Sequence, residues 1–306
     1  MELRDFECFV AVAEELHFSR AAARLAMAQP PLSQRIKTLE AELGTRLFAR
    51  SSRRVALTPA GETFLSRARA VLALVEAAGD EARRVGLGLA GKLTVGFVNP
   101  AMDAFLAEAV ARLRAAAPEV ELELIEMTTR EQLAALAGGR IDLGFCRFAG
   151  QPMPQATVTV VSREPYILAR PAGHALCGAS PLPLAALDGQ PLIVPPRAGL
   201  PALARAMADA FAAAGARPVP VQEAASKFTT LGLVAAGVGL ALLPASVRVW
   251  QRASVVWREL SPGLPLVELA AAAPAGGASP AARRLVEECL RRPGGLAPPI
   301  SPPCGF

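Results

Sequence analysis

The sequence predicts a chain of two fold classes: a small all-α domain at the N-terminus and a larger α/β domain in two lobes at the C-terminus. Three observations lead to this prediction. Apolar residues recur at helical spacing from residue 3 to residue 43. One long amphipathic segment follows Thr58 and ends at a glycine-rich stretch over residues 86–91. Beyond that stretch, short apolar strands alternate with helical segments, as is typical of α/β domains.

The composition fits this division and places the positive charge in one region. A chain of 306 residues suits two or three domains. Hydrophobic residues make up 52% of the chain but aromatic residues only 5%, so the core must be mainly Ala, Leu and Val. The net charge is a mild +5, yet residues 17–58 carry eight basic and two acidic side chains. Such a local surplus is typical of surfaces that contact phosphate, although a solvated basic surface is the alternative.

The sequence gives no sign of export or of a membrane span. Glu2 and Asp5 occupy the region where a signal peptide needs a basic start and an apolar run. The longest apolar run, near Leu231 to Leu243, is interrupted by glycines and is shorter than the roughly 20 residues that span a bilayer. We therefore expect a cytoplasmic protein.

Catalytic and metal-binding patterns are also missing from the sequence. The two histidines, His17 and His174, leave little for acid–base chemistry, and no nucleophile–histidine–acid set or P-loop is present. No C-x-x-C pair occurs, so neither a zinc ribbon nor a disulfide framework is indicated. We expect no metal, no cofactor and no enzymatic activity. The five cysteines are Cys8, Cys146, Cys177, Cys289 and Cys304.

The first 43 residues predict three helices. The first ends near Leu16, and Ser19 is predicted as the N-cap of a second helix that continues to Leu25. After a short turn, Pro30 and Pro31 suit the opening of a third helix, where a missing N–H costs little. The third helix carries one apolar stripe, formed by Leu32, Ile36, Leu39 and Leu43.

The face of the third helix opposite this stripe is small and polar. It is centred on Gln34, with Pro30, Lys37, Thr38 and Ala41 beside it. Such a face can enter the major groove of DNA, where Gln pairs with adenine and Lys reaches guanine or phosphate. The alternative is three helices that pack as an ordinary small bundle.

Two short apolar runs and a long helix follow. Residues 47–49 and 55–57 surround a basic turn and predict a hairpin wing whose arginines lie against the DNA backbone. Thr58 and Pro59 then predict the start of a helix that continues to about Arg84 and measures ~40 Å. One helix cannot bury its own apolar stripe, which predicts a partner subunit. The stripe comprises Leu65, Ala68, Leu72, Val75 and Ala82.

The order of these residues resembles the LysR-type transcriptional regulators. The resemblance implies a winged helix-turn-helix domain over residues 1–58 and a dimerising linker helix with a hinge over residues 59–90. It further implies an effector-binding domain over residues 91–292 that is similar to periplasmic binding proteins. The residues that match the family pattern are Phe18-Ser19-Arg20-Ala21-Ala22, Gln29-Pro30-Pro31-Leu32-Ser33, Ile36, Leu39-Glu40, Leu43-Gly44, Leu47-Phe48, Arg50 and Leu57-Thr58-Pro59-Ala60-Gly61.

The resemblance also implies residues that contact DNA. In close relatives, the residues that match Gln29, Pro30, Pro31, Ser33, Gln34 and Arg53 do so. Positions 34 and 35 depart from the family pattern, since Arg-Gln is common there and this chain has Gln34-Arg35. The base preference at that point therefore does not carry over. The predicted DNA-binding set is Ser19, Gln29, Pro30, Pro31, Ser33, Gln34, Arg35, Lys37, Arg50, Arg53 and Arg54.

Strands and helices alternate from residue 92 onward. The first units predict a parallel sheet with crossover helices: strand Lys92–Phe97, helix Ala104–Ala116, strand Val120–Glu126, helix Thr128–Leu136 and strand Ile141–Cys146. The later ones are Tyr166–Arg170, Leu192–Val194, helix Leu200–Ala214, Val219–Gln222, helix Phe228–Ala236, Leu240–Leu243, Val255–Leu260, Leu266–Ala273 and helix Pro280–Leu290. We expect lobe I over 91–162 and 264–292, lobe II over 163–263, and a disordered Pro- and Gly-rich tail over 293–306.

Ligands of open α/β sheets bind at the carboxyl ends of the strands. Here those ends carry Asn99 and Pro100, then Thr128 and Thr129, then Arg147. A helix N-terminus at the threonines and a guanidinium both suit a carboxylate. The alternatives are a helix cap for Thr128 and a surface ion pair for Arg147.

The effector-binding region is similar to the LysR branch that controls aromatic-compound catabolism, whose members sense benzoate, muconate or chlorinated relatives. The match lies in residues 126–132, 139–147 and 231–237. It implies that Thr129 binds the inducer carboxylate and that Arg147 lies nearby. Pro100 stands where that branch commonly has Ser, so Asn99 is a possible substitute donor. The implied partners are promoter DNA, an aromatic acid or muconate-like dicarboxylate, further copies of the chain as dimer or tetramer, and RNA polymerase.

Two other functions stay open at this point. One is a redox-sensing regulator that uses Cys146, Cys177 or Cys289, with Arg147 next to Cys146 as a weak indication. The other is a solute-binding or enzymatic α/β domain with an accessory N-terminal domain. The missing signal peptide and catalytic set argue against this second function.

Overall fold

A computed structural model describes residues 1–50, 54–148, 153–176, 181–196 and 201–291 of the chain. The predictions for Arg53, Cys177, Cys304 and the tail over 293–306 lie outside these described residues. The chain divides into two compact units, Met1–Arg84 and Val85–Phe306.

Three helices form the centre of the first unit, as predicted. They are α1 (Leu3–Glu15), α2 (Phe18–Arg24) and α3 (Gln29–Leu43). The apolar stripe of α3 packs against α1 and α2, with Leu32, Ile36 and Leu39 almost fully buried. The predicted N-cap of α2 is wrong, because His17 holds that position and its Nδ1 accepts from the Arg20 N–H at 3.4 Å. Ser19 lies inside the helix and is exposed.

The wing and the long helix are also confirmed. Strands β1 (Phe48–Arg50) and β2 (Val55–Leu57) pair antiparallel. Helix α4 (Pro59–Gly86) begins as predicted, since the Thr58 hydroxyl accepts from the Gly61 N–H at 3.0 Å.

The apolar stripe of α4 is covered in part by the first unit itself. Ala68 is fully buried and Leu65 packs in the core of the first unit, so the domain itself covers the start of the stripe. The large apolar side chains of α4 that are exposed begin further along the helix. They are Val71, Leu74, Val75 and Val85.

The first sheet of the second unit has the order β4-β3-β5-β14-β6. Its strands are β3 (Ala90–Phe97), β4 (Glu119–Glu126), β5 (Leu143–Phe148), β6 (Ala156–Glu164) and β14 (Val267–Pro274). Strands β3, β4 and β5 are parallel as predicted, but β14 pairs antiparallel with both β5 and β6. The sheet is therefore mixed. The chain leaves this lobe through β6, which the sequence did not predict, and returns through β14, so these two strands run in opposite directions.

Helices cover this first sheet. The helix predicted from Ala104 begins earlier, as α5 (Asn99–Ala101), continues through a π-helical turn (Met102–Leu106) and becomes α6 (Ala107–Ala116). Pro100 explains the earlier start, because its fixed φ suits the first turn of a helix. The other helices are α7 (Thr129–Ala137) and α10 (Pro280–Leu290).

The second sheet has the order β10-β9-β11-β7-β12. Strands β9, β10 and β11 are parallel, whereas β7 is antiparallel to β11 and β12. The predicted strand over Val255–Leu260 divides into β12 and β13, and β13 pairs with β8. The strands are β7 (Tyr166–Pro171), β8 (Leu182–Pro183), β9 (Pro191–Val194), β10 (Val219–Glu223), β11 (Leu240–Pro244), β12 (Val255–Arg258) and β13 (Leu260–Ser261).

Two α-helices and two 3₁₀ turns complete this lobe. The helices are α8 (Pro201–Ala213) and α9 (Lys227–Ala235), and the turns lie at Leu184–Leu187 and Ala245–Val249. The π-helical turn of the first lobe packs against the 3₁₀ turn at Ala245–Val249. Within the described part of the chain, no helix is long and apolar enough to cross a bilayer.

A glycine at the start of α4 makes a close contact that generates a prediction. A Cβ built at Gly61 would lie 2.1 Å from the Leu47 carbonyl oxygen, whereas one at Gly79 would meet its nearest atom at 3.9 Å. We expect Gly61→Ala to lower the free energy of unfolding of the first unit by about 1–3 kcal/mol, as overpacking does. Gly79→Ala in the same helix should raise it by up to about 1 kcal/mol through helix propensity.

Hydrogen exchange of the α1–α3 amides in the full chain measures both effects. Equal protection in the two variants would contradict the close contact between α4 and the residues before the wing.

Candidate functional site

The exposed face of α3 is available as predicted. Gln29, Pro30, Pro31, Gln34 and Lys37 are exposed and Ser33 is half-buried. The N-cap of α3, Ala28, offers no side-chain acceptor to the first-turn N–H groups. The helix therefore presents an uncapped, electropositive N-terminus beside an amide and an ammonium, a combination that suits anionic ligands and base edges.

Arg35, a member of the predicted DNA-binding set, is half-buried and pairs with acidic residues at the start of α1. Its Nη1 contacts the Asp5 carboxylate at 2.7 Å and the Glu2 carboxylate at 3.5 Å, so it joins α3 to α1. Partial burial pushes the pKa of Asp5 up, but hydrogen bonds from the Glu2 N–H and from Arg35 outweigh burial and hold that pKa below its ordinary value. The contact therefore gives Arg35 a structural role.

Arg50 is likewise engaged within the first unit. The Glu40 carboxylate accepts from the Leu47 N–H at 2.9 Å, from the Phe48 N–H at 3.0 Å and from Arg50 Nη2 at 3.0 Å. The Arg50 guanidinium also lies 4.8 Å from the centroid of the Phe18 ring. Arg50 thus fixes the wing against α2 and α3.

The remaining basic residue of the described wing, Arg54, is exposed. Ser19 is exposed on α2. Both residues stay within the predicted DNA-binding set, while Arg53 lies outside the described residues.

The predicted effector-binding residues meet at one edge of the first sheet. The Val98 N–H donates to the Phe145 carbonyl at 3.0 Å, and the Met127 N–H donates to the Phe97 carbonyl at 2.9 Å. The Thr129 hydroxyl accepts from the Arg147 N–H at 3.2 Å. These bonds join the ends of β3, β4 and β5, so the side chains that follow each strand lie close together.

Each of these side chains has a defined contact. Thr128 forms the predicted capping box: its Oγ1 accepts from the Glu131 N–H at 3.3 Å, and Glu131 Oε2 accepts from the Thr128 N–H at 2.8 Å. Glu131 Oε2 also accepts from the Thr128 hydroxyl at 2.8 Å. The two bonds that this carboxylate accepts from Thr128, first the one from the backbone N–H and then the one from the hydroxyl, lower the pKa of Glu131. Arg147 Nη1 approaches the Tyr166 hydroxyl at 3.4 Å, and Asn99 Nδ2 donates to Glu126 Oε1 at 3.3 Å.

A buried amide, which the sequence reasoning missed, organises this edge. Gln132 is fully buried, and its Nε2 donates to the Met127 carbonyl at 3.0 Å and to the Phe145 carbonyl at 3.2 Å. Its Oε1 accepts from the Cys146 Sγ at 3.1 Å. The available signal was a polar amide on the same helical face as the apolar Ala135 and Leu136.

Burial determines the chemistry of Cys146, whose thiol also contacts Gln132. The thiol is fully buried, and desolvation raises its pKa to about 12. A raised pKa disfavours the nucleophilic thiolate. Cys8 and Cys289 are buried as well, and burial raises the pKa of Cys8. Among the described residues, no group of three or more His, Cys, Asp or Glu side chains could hold a metal ion.

Comparisons with known proteins match both parts of the chain. A family model described as a bacterial regulatory helix-turn-helix protein of the lysR family matches residues 3–62. A second model, the LysR substrate binding domain, matches residues 87–293.

Individual relatives match over most of the chain. The transcriptional regulator YnfL of Escherichia coli is 39% identical over 84% of this chain and 86% of its own. CatR of Pseudomonas putida is 37% identical over 95% of this chain and 97% of its own. The crystal structure of CbnR, a LysR family transcriptional regulator, is 29% identical, covers 94% of this chain and 100% of its own, and gives a TM-score of 0.83. The crystal structure of full-length CbnR complexed with its target DNA is 28% identical, covers 95% of this chain and 99% of its own, and gives a TM-score of 0.80.

The raised pKa of Cys146 generates a prediction. An ordinary thiol has a pKa near 9.0 and that of Cys146 is about 12, so at pH 8 its thiolate should be roughly a thousandfold rarer. We expect Cys146 to resist alkylation by iodoacetamide in the folded chain at pH 8 and to react fully in guanidinium, as read by mass spectrometry. Alkylation of native Cys146 at the rate of the denatured chain would contradict the burial of this thiol.

Proposed function

The chain belongs to the LysR family of bacterial transcriptional regulators, and from that premise we propose that it binds promoter DNA under the control of a small acidic or aromatic effector. The observation that carries this proposal is the division of α3 into two faces. Leu32, Ile36 and Leu39 are buried in the first unit, which leaves the side of α3 around Gln34 and Lys37 exposed. An exposed polar helix face on a small helical domain is the element that enters a major groove.

Each residue of this face has a specific part in DNA binding. The Gln34 amide can form two hydrogen bonds with an adenine edge, and the Lys37 ammonium can reach guanine or phosphate. Pro30 and Pro31 offer apolar contact, and Arg54 in the wing supplies charge to the backbone. The CbnR complex with its target DNA supports this arrangement for a similar fold. A protein that binds chromosomal DNA acts in the bacterial cytoplasm, and we propose that location for this chain.

The edge formed by β3, β4 and β5 is the proposed effector site. The N-terminus of α7, the Thr129 hydroxyl and the Arg147 guanidinium together suit a carboxylate. The resemblance to regulators of aromatic catabolism suggests an aromatic acid or a muconate-like dicarboxylate. Pro100 has neither a hydroxyl nor an N–H to offer, so Asn99 would supply the missing donor by releasing Glu126. Thr128 serves mainly as the helix cap.

Exposed apolar residues on α4 support assembly with further copies of the chain. Val71, Leu74, Val75 and Val85 lie on one helix, and Leu74 is 71% exposed. A second α4 can cover these residues as in a coiled coil. The dimer is the first assembly that this surface supports. A tetramer and contact with RNA polymerase rest on the family resemblance.

The two alternative functions have less support. A redox sensor that acts through Cys146 conflicts with the burial and raised pKa of that thiol. An enzyme or solute-binding protein would need a catalytic or transport role that the matching families do not describe. We therefore propose that the chain has no enzymatic activity and that effector binding acts by favouring one arrangement of the two lobes.

Three substitutions on α3 test the DNA-binding face, and two of them each remove one positive charge. Lys37→Ala should weaken binding to promoter DNA and reduce the salt slope by about 0.9, because one phosphate contact is lost. Arg35→Ala removes the same charge from a side chain that pairs with Asp5, so the salt slope should change much less. Gln34→Ala should weaken binding without changing the slope, since it removes only base contacts. Fluorescence anisotropy across a salt series measures all three.

Equal loss of slope in Lys37→Ala and Arg35→Ala would contradict the assigned face. Unchanged affinity in both Gln34→Ala and Lys37→Ala would contradict the proposed use of α3.

Thermal shift tests the effector site. We expect aromatic carboxylates or dicarboxylates to raise the melting temperature of the full chain, and Thr129→Val to remove most of that shift by deleting the hydroxyl. Thr159→Val, the same change at an exposed position of the same sheet, is the control and should keep the shift. No stabilisation by any member of the series would contradict the proposed effector class.

A further inference from the structure

A second set of contacts joins the two lobes, about one helical turn after Asn99 and Pro100 of the proposed effector site. Asp103 belongs to the π-helical turn of the first lobe, and only 5% of its side chain is exposed. One of its carboxylate oxygens pairs with the ammonium of Lys227. The other accepts from the indole N–H of Trp250 at 3.0 Å. Both oxygens of one buried carboxylate are therefore occupied by residues of the second lobe.

Aromatic rings complete the surroundings of the Lys227 ammonium. The ammonium lies 4.9 Å from the centroid of the Trp250 ring and 5.5 Å from that of Phe228. The two rings pack edge to face, with 4.8 Å between centroids. Only 10% of the Lys227 side chain is exposed, so charge pairing and cation–π attraction act with little screening by solvent.

The position of Lys227 in α9 makes this contact informative. It is the first residue of the helix, where the macrodipole disfavours a cation. The buried Lys227 side chain has also lost conformational freedom and most of its hydration. These costs are offset by groups outside the helix, chiefly Asp103. The π-helical turn that carries Asp103 also indicates a functional role for this contact, because such turns are rare and occur frequently at functional sites.

The same region of the second lobe has another anchor, at the connection between the lobes. Glu164, the last residue of β6, accepts from the Ser246 N–H at 2.6 Å and from the Ser246 hydroxyl at 3.0 Å. Glu164 precedes the strand that opens the second lobe, so this anchor sits where the chain passes between lobes. Asp103 and Lys227 are 124 residues apart in the chain. A rotation of the lobes about their connection would separate Asp103 from Lys227 and could leave the Glu164 anchor in place.

We propose that Asp103, Lys227 and Trp250 form a latch that fixes the angle between the two lobes, and that opening this latch lets the lobes rearrange. The latch uses none of the residues of the proposed effector site at the β3, β4 and β5 edge. It operates in the free protein, so its test needs neither an effector nor DNA. Failure of the proposed regulatory function would therefore leave the test of the latch unaffected.

The chain offers a direct reporter of the latch. Trp250 and Trp257 are its two tryptophans, so Trp257→Phe leaves Trp250 as the single fluorophore. In that background we compare Asp103→Asn, Lys227→Met and the double variant, using acrylamide quenching of Trp250 and hydrogen exchange of residues 245–250. Arg163→Met is the matched control, because it breaks an Arg163–Glu268 pair of 2.6 Å between two strands of the first lobe.

Each single latch variant should raise the quenching constant about twofold and speed exchange over residues 245–250 about tenfold, as local opening does. The double variant should do no more than either single one, because both break the same contact. The control should leave both readouts unchanged. Unchanged quenching and exchange in the latch variants, or effects that simply add in the double variant, would overturn the proposal.

Two more conservative substitutions test the latch in case the first variants fail to fold. Lys227→Arg keeps the charge and should preserve the protection of residues 245–250. Trp250→Phe keeps a ring but removes the indole donor, and it should raise exchange there. Loss of protection in Lys227→Arg equal to that in Trp250→Phe would show that packing alone, without the charge, holds the lobes, and would overturn the latch.

Discussion

Buried and half-buried carboxylates fix the connections of this chain, and the rest of the structure depends on them. With few aromatic residues, the core is built largely of Ala, Leu and Val, whose side chains reach only their near neighbours. A carboxylate accepts several N–H groups at once and can hold a loop at a defined place. Glu40 holds the residues before the wing, Glu164 holds the turn at Ser246, and Asp103 holds α9. In each case the acid lies on a regular element and its donors follow a connection.

The contacts of these carboxylates also show which parts of the structure the sequence could predict and which it could not. Local patterns were enough for α3, the wing, the start of α4 and the capping box at Thr128, because spacing and caps act within a few residues. Contacts between distant residues were not visible in those patterns. The ion pair between Arg35 and Asp5, which lies 30 residues earlier in the chain, is one such contact. The mixed sheet was missed for the same reason, since the pairing of β14 with β5 and β6 depends on where the chain returns.

The candidate effector site shows the same limit at the level of single side chains. The sequence predicted which residues follow the strands, and the structure brings them to one edge. It did not predict Gln132, whose amide joins two carbonyls and a thiol beneath that edge. A buried amide without partners would be costly, so its polar neighbours determine its position. Thr128 and Thr129 are adjacent but have different tasks, since one hydroxyl caps α7 and the other contacts β5.

The start of α4 is buried in the first unit, whereas its later apolar residues are exposed, and this difference connects the fold to the proposed binding of DNA. Leu65 and Ala68 are covered by the first unit, so the direction of the first turns of α4 is fixed relative to α3. Leu74 and Val75, further along the same helix, are exposed. If a second copy covers them, pairing of the two α4 helices sets the separation of the two α3 faces. Half-sites one helical turn apart require a separation of about 34 Å or a multiple of it. The linker helix would thus determine operator spacing, while Gln34 reads base edges and Lys37 holds α3 against the DNA backbone.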